Sequence, residues 1–215
     1  MKHYILSIDV GGTHITAGVV DMDKKEIITS STHKEEFNSN EDKDAVLGYW
    51  QNAINKSLEK SGVKKIIGIG ISMPGPFDYA EGVCWIKDQD KYKNFYGVNI
   101  RHEIIAKFSL PENFPVLFEN DAICFSKGEV LRNFNGKYER VLSITLGTGL
   151  GACFIENNKI ITDDKRVPEE GTLYNVPYRH SIAEEYISTR ALVLRYYHLT
   201  GNKIDNGKQL FDLAV

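Results

Sequence analysis

The chain has 215 residues and a formal net charge of −3. Its length allows one large domain or two small ones, and its charge gives no support for binding to nucleic acid or to an anionic membrane. Hydrophobic residues make up 42% of the sequence and charged residues 26%, the composition of a globular protein with a substantial core. No apolar run is long enough to span a bilayer. The 3 cysteines fit neither a disulfide framework nor a paired zinc spacing, which favours a reducing cytoplasm.

The stretch Ile5–Val20 predicts two strands joined by a glycine turn. Alternating apolar residues lead into the turn, and a second strand follows it, so Asp9, Gly11, Gly12 and Thr13 lie at the tip of a hairpin. Adjacent glycines let backbone N–H groups approach an anion without obstruction. The nearby carboxylate would repel a bare phosphate, so phosphate binding requires a cation such as Mg²⁺. An ordinary hairpin turn remains the alternative.

The following segments predict a mixed sheet with one long helix. A third strand is expected over Glu26–Thr32, and a helix begins within Ser39–Asp44 and ends at Gly62, because apolar residues recur between them at helical spacing. The apolar run Lys65–Ser72 is typical of a strand buried on both faces. The order β-β-β-α-β therefore predicts a parallel strand beside an antiparallel meander in one sheet.

Two loops in the middle of the chain are candidates for ligand binding. Met73–Pro76 follows the buried strand, where α/β folds place ligands, although proline and glycine are equally consistent with a rigid turn. Asp88–Asn99 is polar and aromatic, and is either a substrate loop or a surface loop. Between them Gly82–Ile86 predicts a short strand, and Asn99 is expected to cap a helix that ends before Pro111.

A further strand is predicted over Phe114–Phe118, followed by Asn120 and Asp121 and then by a helix from Ala122 to about Phe134. Asparagine and aspartate are favoured helix caps for structural reasons alone. The same polar side chains at the end of a buried strand also suit a ligand site. The residues themselves leave both interpretations open.

A second glycine turn lies between the predicted strands Arg140–Leu146 and Ala152–Ile155. Its sequence, Gly147–Gly151, is similar to the dinucleotide-binding fingerprint. That fingerprint needs a helix directly after the glycines and a third glycine one residue later, so a dinucleotide site is the weaker interpretation. Two strand–glycine turn–strand hairpins, one in each half of the chain, instead predict two lobes that bind one polyphosphate between them.

The C-terminal part of the sequence predicts one more long helix. It should begin near Ser181, because Ser181 and Glu184 fit a capping box, and it should end at Gly201. The last residues, from Phe211 onward, predict the start of another helix.

Four motifs, DVGGT, GISMPGP, ENDA and TLGTGLGA, occur in this order and each lies at a strand end. Together they resemble the ROK family of sugar kinases and related repressors, which belongs to the hexokinase–actin–Hsp70 class. The resemblance implies a two-lobed ribonuclease H-like α/β fold with mixed sheets. The implied N-terminal lobe spans residues 1–119, and the implied C-terminal lobe spans residues 120–215 and is incomplete.

The resemblance also implies a site. Asp121 would be the general base and a substrate ligand, Asn120 would bind a sugar hydroxyl, and Glu184 would bind the sugar because EYISTRAL matches the family's helix. ATP would bring Mg²⁺ with it to the neighbourhood of Asp9. The remaining implied residues are Asp9, Gly11, Gly12 and Thr13 in the first phosphate loop, Gly147, Thr148, Gly149 and Gly151 in the second, and Glu170 at the sugar.

The sequence departs from the family pattern in three respects. ROK proteins usually carry a Gly-His pair and a cysteine-rich zinc motif before that helix, whereas this segment, EEGTLYNVPYRHSIAEEY, contains no cysteine; we expect no structural zinc and no metal ligand of the chain's own. The repressors' N-terminal DNA-binding domain is not expected, because the chain opens on the kinase strand. ROK proteins are also longer, so the chain is either a fragment or unable to hold ATP in the usual way.

Two functions follow as hypotheses. The first is ATP-dependent phosphorylation of a hexose or related sugar by a cytoplasmic homodimer that binds neither nucleic acid nor membrane. The alternative is a non-catalytic sugar-binding or regulatory member of the family.

Overall fold

The structure is a computed structural model that describes residues 2–87, 91–134, 136–147 and 149–214. The chain separates into two compact units, Met1–Asp121 and Ala122–Val215. Whether these units are the two lobes implied by the sequence stays a prediction. None of the helices in the described ranges is both long and apolar enough to cross a membrane.

Within the described residues, the first unit is built on a mixed sheet and two α-helices. The helices are α1 (Lys43–Ser61) and α2 (Ile100–Lys107). The strands are β1 (Tyr4–Val10), β2 (His14–Asp21), β3 (Glu26–Ile27), β4 (His33–Glu36), β5 (Ile69–Met73), β6 (Phe77–Asp78), β7 (Val83–Cys84) and β8 (Val116–Asn120).

The sheet order is β3-β2-β1-β5-β8, with β4 also paired to β2 and β6 paired to β7 in a separate ribbon. β1 runs antiparallel to β2 and parallel to β5, and β5 runs parallel to β8. The mixed α/β fold predicted from the sequence is therefore confirmed. The buried strand β5 begins four residues later than the apolar run suggested.

The predicted third strand, Glu26–Thr32, is wrong beyond its first two residues. Thr29–Ser31 forms a 3₁₀ turn, and the pairing with β2 resumes in β4. The reason is Ser31, whose hydroxyl donates to the Ile28 carbonyl (2.6 Å) and accepts from the Val19 N–H (2.8 Å). Such local side-chain bonds compete with the ladder of backbone bonds.

Helix α1 covers the sheet with one apolar face, as its spacing predicted. Asp42 caps its N-terminus by accepting from the Asp44 and Ala45 N–H groups, both at 3.0 Å. Gly62 ends it in the left-handed conformation (φ 66°), which glycine adopts without steric cost. Both predicted ends are confirmed. Its buried residues are Val46, Leu47, Trp50, Ala53, Ile54 and Ser57.

The second unit contains a three-stranded antiparallel sheet in the order β11-β10-β9. Val130, Cys153 and Ile155 are buried between this sheet and the helical segment before it. The strands are β9 (Arg140–Leu146), β10 (Leu150–Glu156), β11 (Lys159–Ile160), β12 (Pro177–Tyr178) and β13 (Ser181–Ile182). The helices are α3 (Asp121–Glu129), continued by a π-helical turn (Val130–Phe134), α4 (Glu184–Ile187), α5 (Thr189–Thr200) and α6 (Gly207–Ala214).

The single helix predicted to begin at Ser181 is wrong. Ser181 lies in β13, and the helical region is divided into α4 and α5 by Ser188, whose backbone is extended (φ −67°, ψ 158°). The Ser188 hydroxyl caps α5 by accepting from the Ala191 N–H at 3.3 Å. No capping box forms at Ser181, because the Glu184 carboxylate accepts a different backbone N–H. The end at Gly201 is confirmed.

We expect Asp42→Ala to lower the free energy of unfolding by about 1 kcal/mol, the usual cost of losing an N-cap. Asp42→Asn is the matched control, because its amide oxygen can accept the same two bonds. Urea unfolding of the three proteins measures the difference. Equal stability of the alanine and asparagine variants would show that the cap contributes nothing.

Candidate functional site

The carboxyl ends of three parallel strands bring polar residues together in the first unit. Asp9 in β1 pairs in register with Ser72 in β5, and Ser72 pairs with Glu119 in β8. The Ser72 hydroxyl donates a hydrogen bond to the Asp9 carboxylate. Parallel strands end at one edge of a sheet, which is where open α/β sheets bind ligands. This edge therefore presents oxygen atoms from adjacent strands.

The first glycine turn extends from the same edge. The Gly11 N–H donates to the His14 carbonyl at 2.9 Å, which closes the turn around Gly12 and Thr13. The Gly11 carbonyl in turn accepts from the hydroxyl of Tyr92 at 2.5 Å. The predicted residues of this loop therefore lie together, directly after Asp9.

Tyr92 anchors this turn from the core. Its side chain is fully buried and packs edge-on against Trp50, with ring centroids 6.3 Å apart. Burial raises the pKa of the Tyr92 hydroxyl far above its ordinary value, and the negative charge of Asp9 adds to the shift. The phenol therefore remains protonated and remains a donor to Gly11.

Asn120 and Asp121 lie at the junction of a strand and a helix. Asn120 is the last residue of β8, and Asp121 is the first of α3. The Asn120 amide donates to the Tyr79 hydroxyl at 3.2 Å, and that hydroxyl donates to the Met73 carbonyl at 3.1 Å. The loop that begins after Met73 is thus linked through Tyr79 to the predicted sugar ligand Asn120.

The second glycine turn joins β9 to β10 in the second unit. Within it the Gly147 N–H donates to the Gly149 carbonyl at 3.0 Å. The Gly147 carbonyl accepts from the Thr189 N–H at 2.9 Å, and the Leu150 N–H donates to the Glu184 carboxylate at 2.8 Å. Predicted phosphate-loop and sugar residues therefore meet in this unit.

Two glycines of this turn lie where an added Cβ would come too close to a neighbouring side chain. A Cβ at Gly149 would lie 2.6 Å from a Glu184 carboxylate oxygen. A Cβ at Gly151 would collide with the Thr145 hydroxyl and would lie 2.8 Å from the Ala122 Cβ. Real Cβ atoms do not approach so closely, so a side chain at either position would displace its neighbours.

The remaining predicted residues are less informative. Thr148 lies outside the described residues. Glu170 is exposed in the 3₁₀ turn Glu169–Gly171 and has a left-handed backbone (φ 57°), a conformation uncommon for residues other than glycine. The sugar-binding role of Glu170 stays a prediction.

Sequence reasoning missed Ser72, Tyr79 and Tyr92, which support the predicted residues. Ser72 is the penultimate residue of the apolar strand β5, and the two tyrosines lie in loops, so no local pattern distinguishes them. Their partners are 63, 41 and 81 residues distant in the chain.

The oxygen atoms of Asp9 and Ser72 are of the type that Mg²⁺ prefers. Among the residues that the structure describes, no cluster of three or more histidine, cysteine, aspartate or glutamate side chains could hold a metal ion. Binding of Mg²⁺ together with ATP near Asp9 stays a prediction.

A sequence model of the ROK family matches residues 5–214. The chain belongs to the ROK family. It is 33% identical to a xylose repressor of Caldicellulosiruptor bescii over 122 residues, which cover 56% of this chain and 29% of the repressor. It is 26% identical to a β-glucoside kinase of Listeria monocytogenes over 218 residues, which cover 96% of this chain and 68% of that kinase.

Solved structures of ROK proteins share the fold. A ROK hexokinase from Thermus thermophilus aligns with a TM-score of 0.71 at 22% identity, covering 94% of this chain and 66% of the hexokinase. A glucokinase from Streptomyces griseus, solved with glucose and AMPPNP, aligns with a TM-score of 0.67 at 25% identity, covering 92% and 62%. The chain thus has the actin/hexokinase-type fold and spans about two thirds or less of the length of these relatives.

We expect Tyr92→Phe to lower the free energy of unfolding by about 1 kcal/mol, because it removes one buried hydrogen bond and leaves the ring packing intact. Tyr96→Phe is the control, since the Tyr96 side chain is exposed. Thermal melts compare the two variants with the wild type. Equal melting of the Tyr92 variant and the wild type would mean that the Gly11 contact is energetically neutral.

Proposed function

We propose that this ROK protein is an ATP-dependent kinase of a hexose or related sugar, with Asp121 as the general base. The observation that supports the proposal is the position of Asp121, the first residue of α3, directly after Asn120 at the carboxyl end of β8. The parallel neighbours of β8 carry Ser72 and Asp9 near the same edge of the sheet. The sugar kinases among its relatives support the same activity. The proposal includes a cytoplasmic homodimer that binds neither nucleic acid nor membrane.

The two glycine turns would hold the phosphates of ATP. Backbone N–H groups in glycine-rich turns bind anions because no side chain blocks their approach. Mg²⁺ bound with the nucleotide would neutralise part of the phosphate charge. Asp9 and Ser72 would hold the Mg²⁺ ion. The residues of this role are Asp9, Gly11, Gly12 and Thr13 in one turn and Gly147, Thr148, Gly149 and Gly151 in the other.

Asp121 would accept the proton of the sugar hydroxyl as that hydroxyl attacks the γ-phosphorus, while the bond from the γ-phosphorus to the bridging oxygen breaks and ADP leaves. Asn120 and Glu184 would orient the sugar by hydrogen bonds to its hydroxyls, with Glu170 as a further ligand. Phosphoryl transfer depends mainly on positioning and charge stabilisation, and general-base assistance contributes roughly 10²–10⁴-fold.

A second candidate is a non-catalytic, sugar-responsive regulatory protein. It is favoured by the match to the xylose repressor, which has a higher identity than the kinase match although it covers less of this chain. The two functions share sugar binding and differ in ADP formation. A screen of hexoses and related sugars by coupled ADP release, with sugar affinity measured by calorimetry, separates them. Sugar binding without ADP release would favour the regulatory function.

Asp121→Asn should reduce phosphoryl transfer by at least about 10²-fold, because an amide cannot accept the hydroxyl proton. Sugar affinity should be nearly unchanged, since asparagine keeps the shape of the side chain and one acceptor oxygen, and its NH₂ can donate to a sugar oxygen. Asp163→Asn, at an exposed aspartate, is the control. Wild-type turnover in the Asp121 variant would show that Asp121 is not the general base and has only a structural role at the start of the helix.

The purified protein should contain no stoichiometric zinc. The cysteines, two of them buried, are separated along the chain and lack zinc-ligand spacing. Elemental analysis of protein purified without chelators measures the content directly. About one zinc per chain would contradict the prediction.

A further inference from the structure

The second glycine turn is held at both ends by one helical elbow. The elbow comprises residues 184–191, which include α4, Ser188 and the first turn of α5. It donates one hydrogen bond to Gly147 and accepts another from Leu150. The turn is therefore fixed by contacts from a segment 34 or more residues away.

The Thr189 N–H is free to donate to Gly147 because the helical region is interrupted at Ser188. The first N–H groups of a helix have no partner within it, and the extended backbone of Ser188 makes Thr189 the first residue of α5. In a continuous helix the Thr189 N–H would bond to the carbonyl four residues earlier. The break releases this N–H, which donates to the Gly147 carbonyl at 2.9 Å.

The acceptor at the other end is one oxygen of Glu184. Its Oε2 accepts the Leu150 N–H at 2.8 Å, and the side chain is 21% exposed. A hydrogen bond to a carboxylate is stronger than one between neutral groups. The close approach is possible because Gly149 has no Cβ, which would otherwise lie 2.6 Å from Oε2. Glutamate at 184 and glycine at 149 therefore fit as a pair.

The second carboxylate oxygen of Glu184 has a different environment. Oε1 lies 3.7 Å from a guanidinium nitrogen of Arg190, a distance too long for a hydrogen bond. Arg190 makes its short contact with Glu185 instead. One oxygen of Glu184 thus holds the turn, and the other keeps capacity to accept a hydroxyl.

We propose that Glu184 is a positioning residue for the second glycine turn: it holds the Leu150 N–H through Oε2 and so fixes the turn in the form that binds nucleotide phosphate. This role is separate from sugar binding, which would use Oε1. The nucleotide part of the proposal rests on the proposed kinase function. The structural part, that Glu184 fixes the turn, can be measured without any activity.

Two substitutions at Glu184 separate positioning from sugar binding. Glu184→Gln keeps an oxygen that can accept from Leu150 but loses the negative charge, so the KM for ATP should stay within about twofold while the KM for sugar rises. Glu184→Ala removes the acceptor, and the KM for ATP should rise about tenfold or more. Asp163→Asn, at an exposed aspartate outside the elbow, is the control and should change neither KM. Equal KM values for ATP in Glu184→Ala and the wild type would overturn the nucleotide role.

A double-mutant cycle tests the fit of Glu184 to Gly149. Gly149→Ala should raise the KM for ATP, because the new Cβ displaces the carboxylate. In the Glu184→Ala background the same change should add little, since the atom it would meet is gone. Contacting residues show such non-additive effects. Fully additive effects would contradict a shared role.

Amide hydrogen exchange at Leu150 gives a readout that needs no substrate. Exchange should be faster in Glu184→Ala than in the wild type and near wild-type in Glu184→Gln. Unchanged exchange in Glu184→Ala would overturn the positioning role, even in an active enzyme. If instead the wild type releases no ADP with any sugar and does not bind ATP in calorimetry, the kinase function fails, and the exchange rates alone decide whether Glu184 fixes the turn.

Discussion

The parallel pairing of β1, β5 and β8 is the constraint on which the first unit depends. Parallel strands direct their carboxyl ends to one edge, and in-register neighbours lie about 4.8 Å apart. This pairing places Asp9 beside Ser72 and Met73 beside Asn120. A shift of one residue in any strand would turn its side chains to the opposite face. The buried apolar residues of these strands prevent such a shift, so the core fixes the geometry of the polar edge.

The glycine turn of the second unit is supported in a different way. The three-stranded sheet of this unit is antiparallel, and among the described residues the third strand, β11, pairs with β10 at Ile155 and Glu156, away from the glycine turn. Support comes from the helical elbow, where Ser188 interrupts the helix and leaves the Thr189 N–H for Gly147. A helix interrupted in this way loses internal hydrogen bonds. The bonds that Ser188 and Thr189 make to Ala191 and Gly147 offset that loss.

Sequence patterns predicted what is local. The hairpin around Gly11 and the cap at Asn99 follow from alternation, from glycine and from side-chain capping, and the structure contains them. The predicted capping box at Ser181 failed because the Glu184 carboxylate accepts the distant Leu150 N–H, and Ser188 caps the helix that begins at Thr189. The third strand failed because the Ser31 hydroxyl binds nearby backbone.

Contacts that support the candidate site are long-range and could not be predicted. Asp9 meets Ser72, Gly11 meets Tyr92, and Leu150 meets Glu184, across 63, 81 and 34 residues. No periodicity within one segment specifies such a partner. The family resemblance supplied Glu184 as a sugar ligand, but only the structure shows that its carboxylate also contacts the turn.

A carboxylate lies beside each glycine turn, Asp9 at the first and Glu184 at the second. The two carboxylates differ in how their charge is balanced. The bond that Asp9 accepts from Ser72 comes from a neutral hydroxyl, which leaves the full negative charge at the first turn. Glu184 lies 3.7 Å from the Arg190 guanidinium, so part of its charge is compensated by the protein. A phosphate is repelled by an uncompensated carboxylate unless a cation lies between them. Under the proposed function, we therefore expect the divalent cation at the first turn.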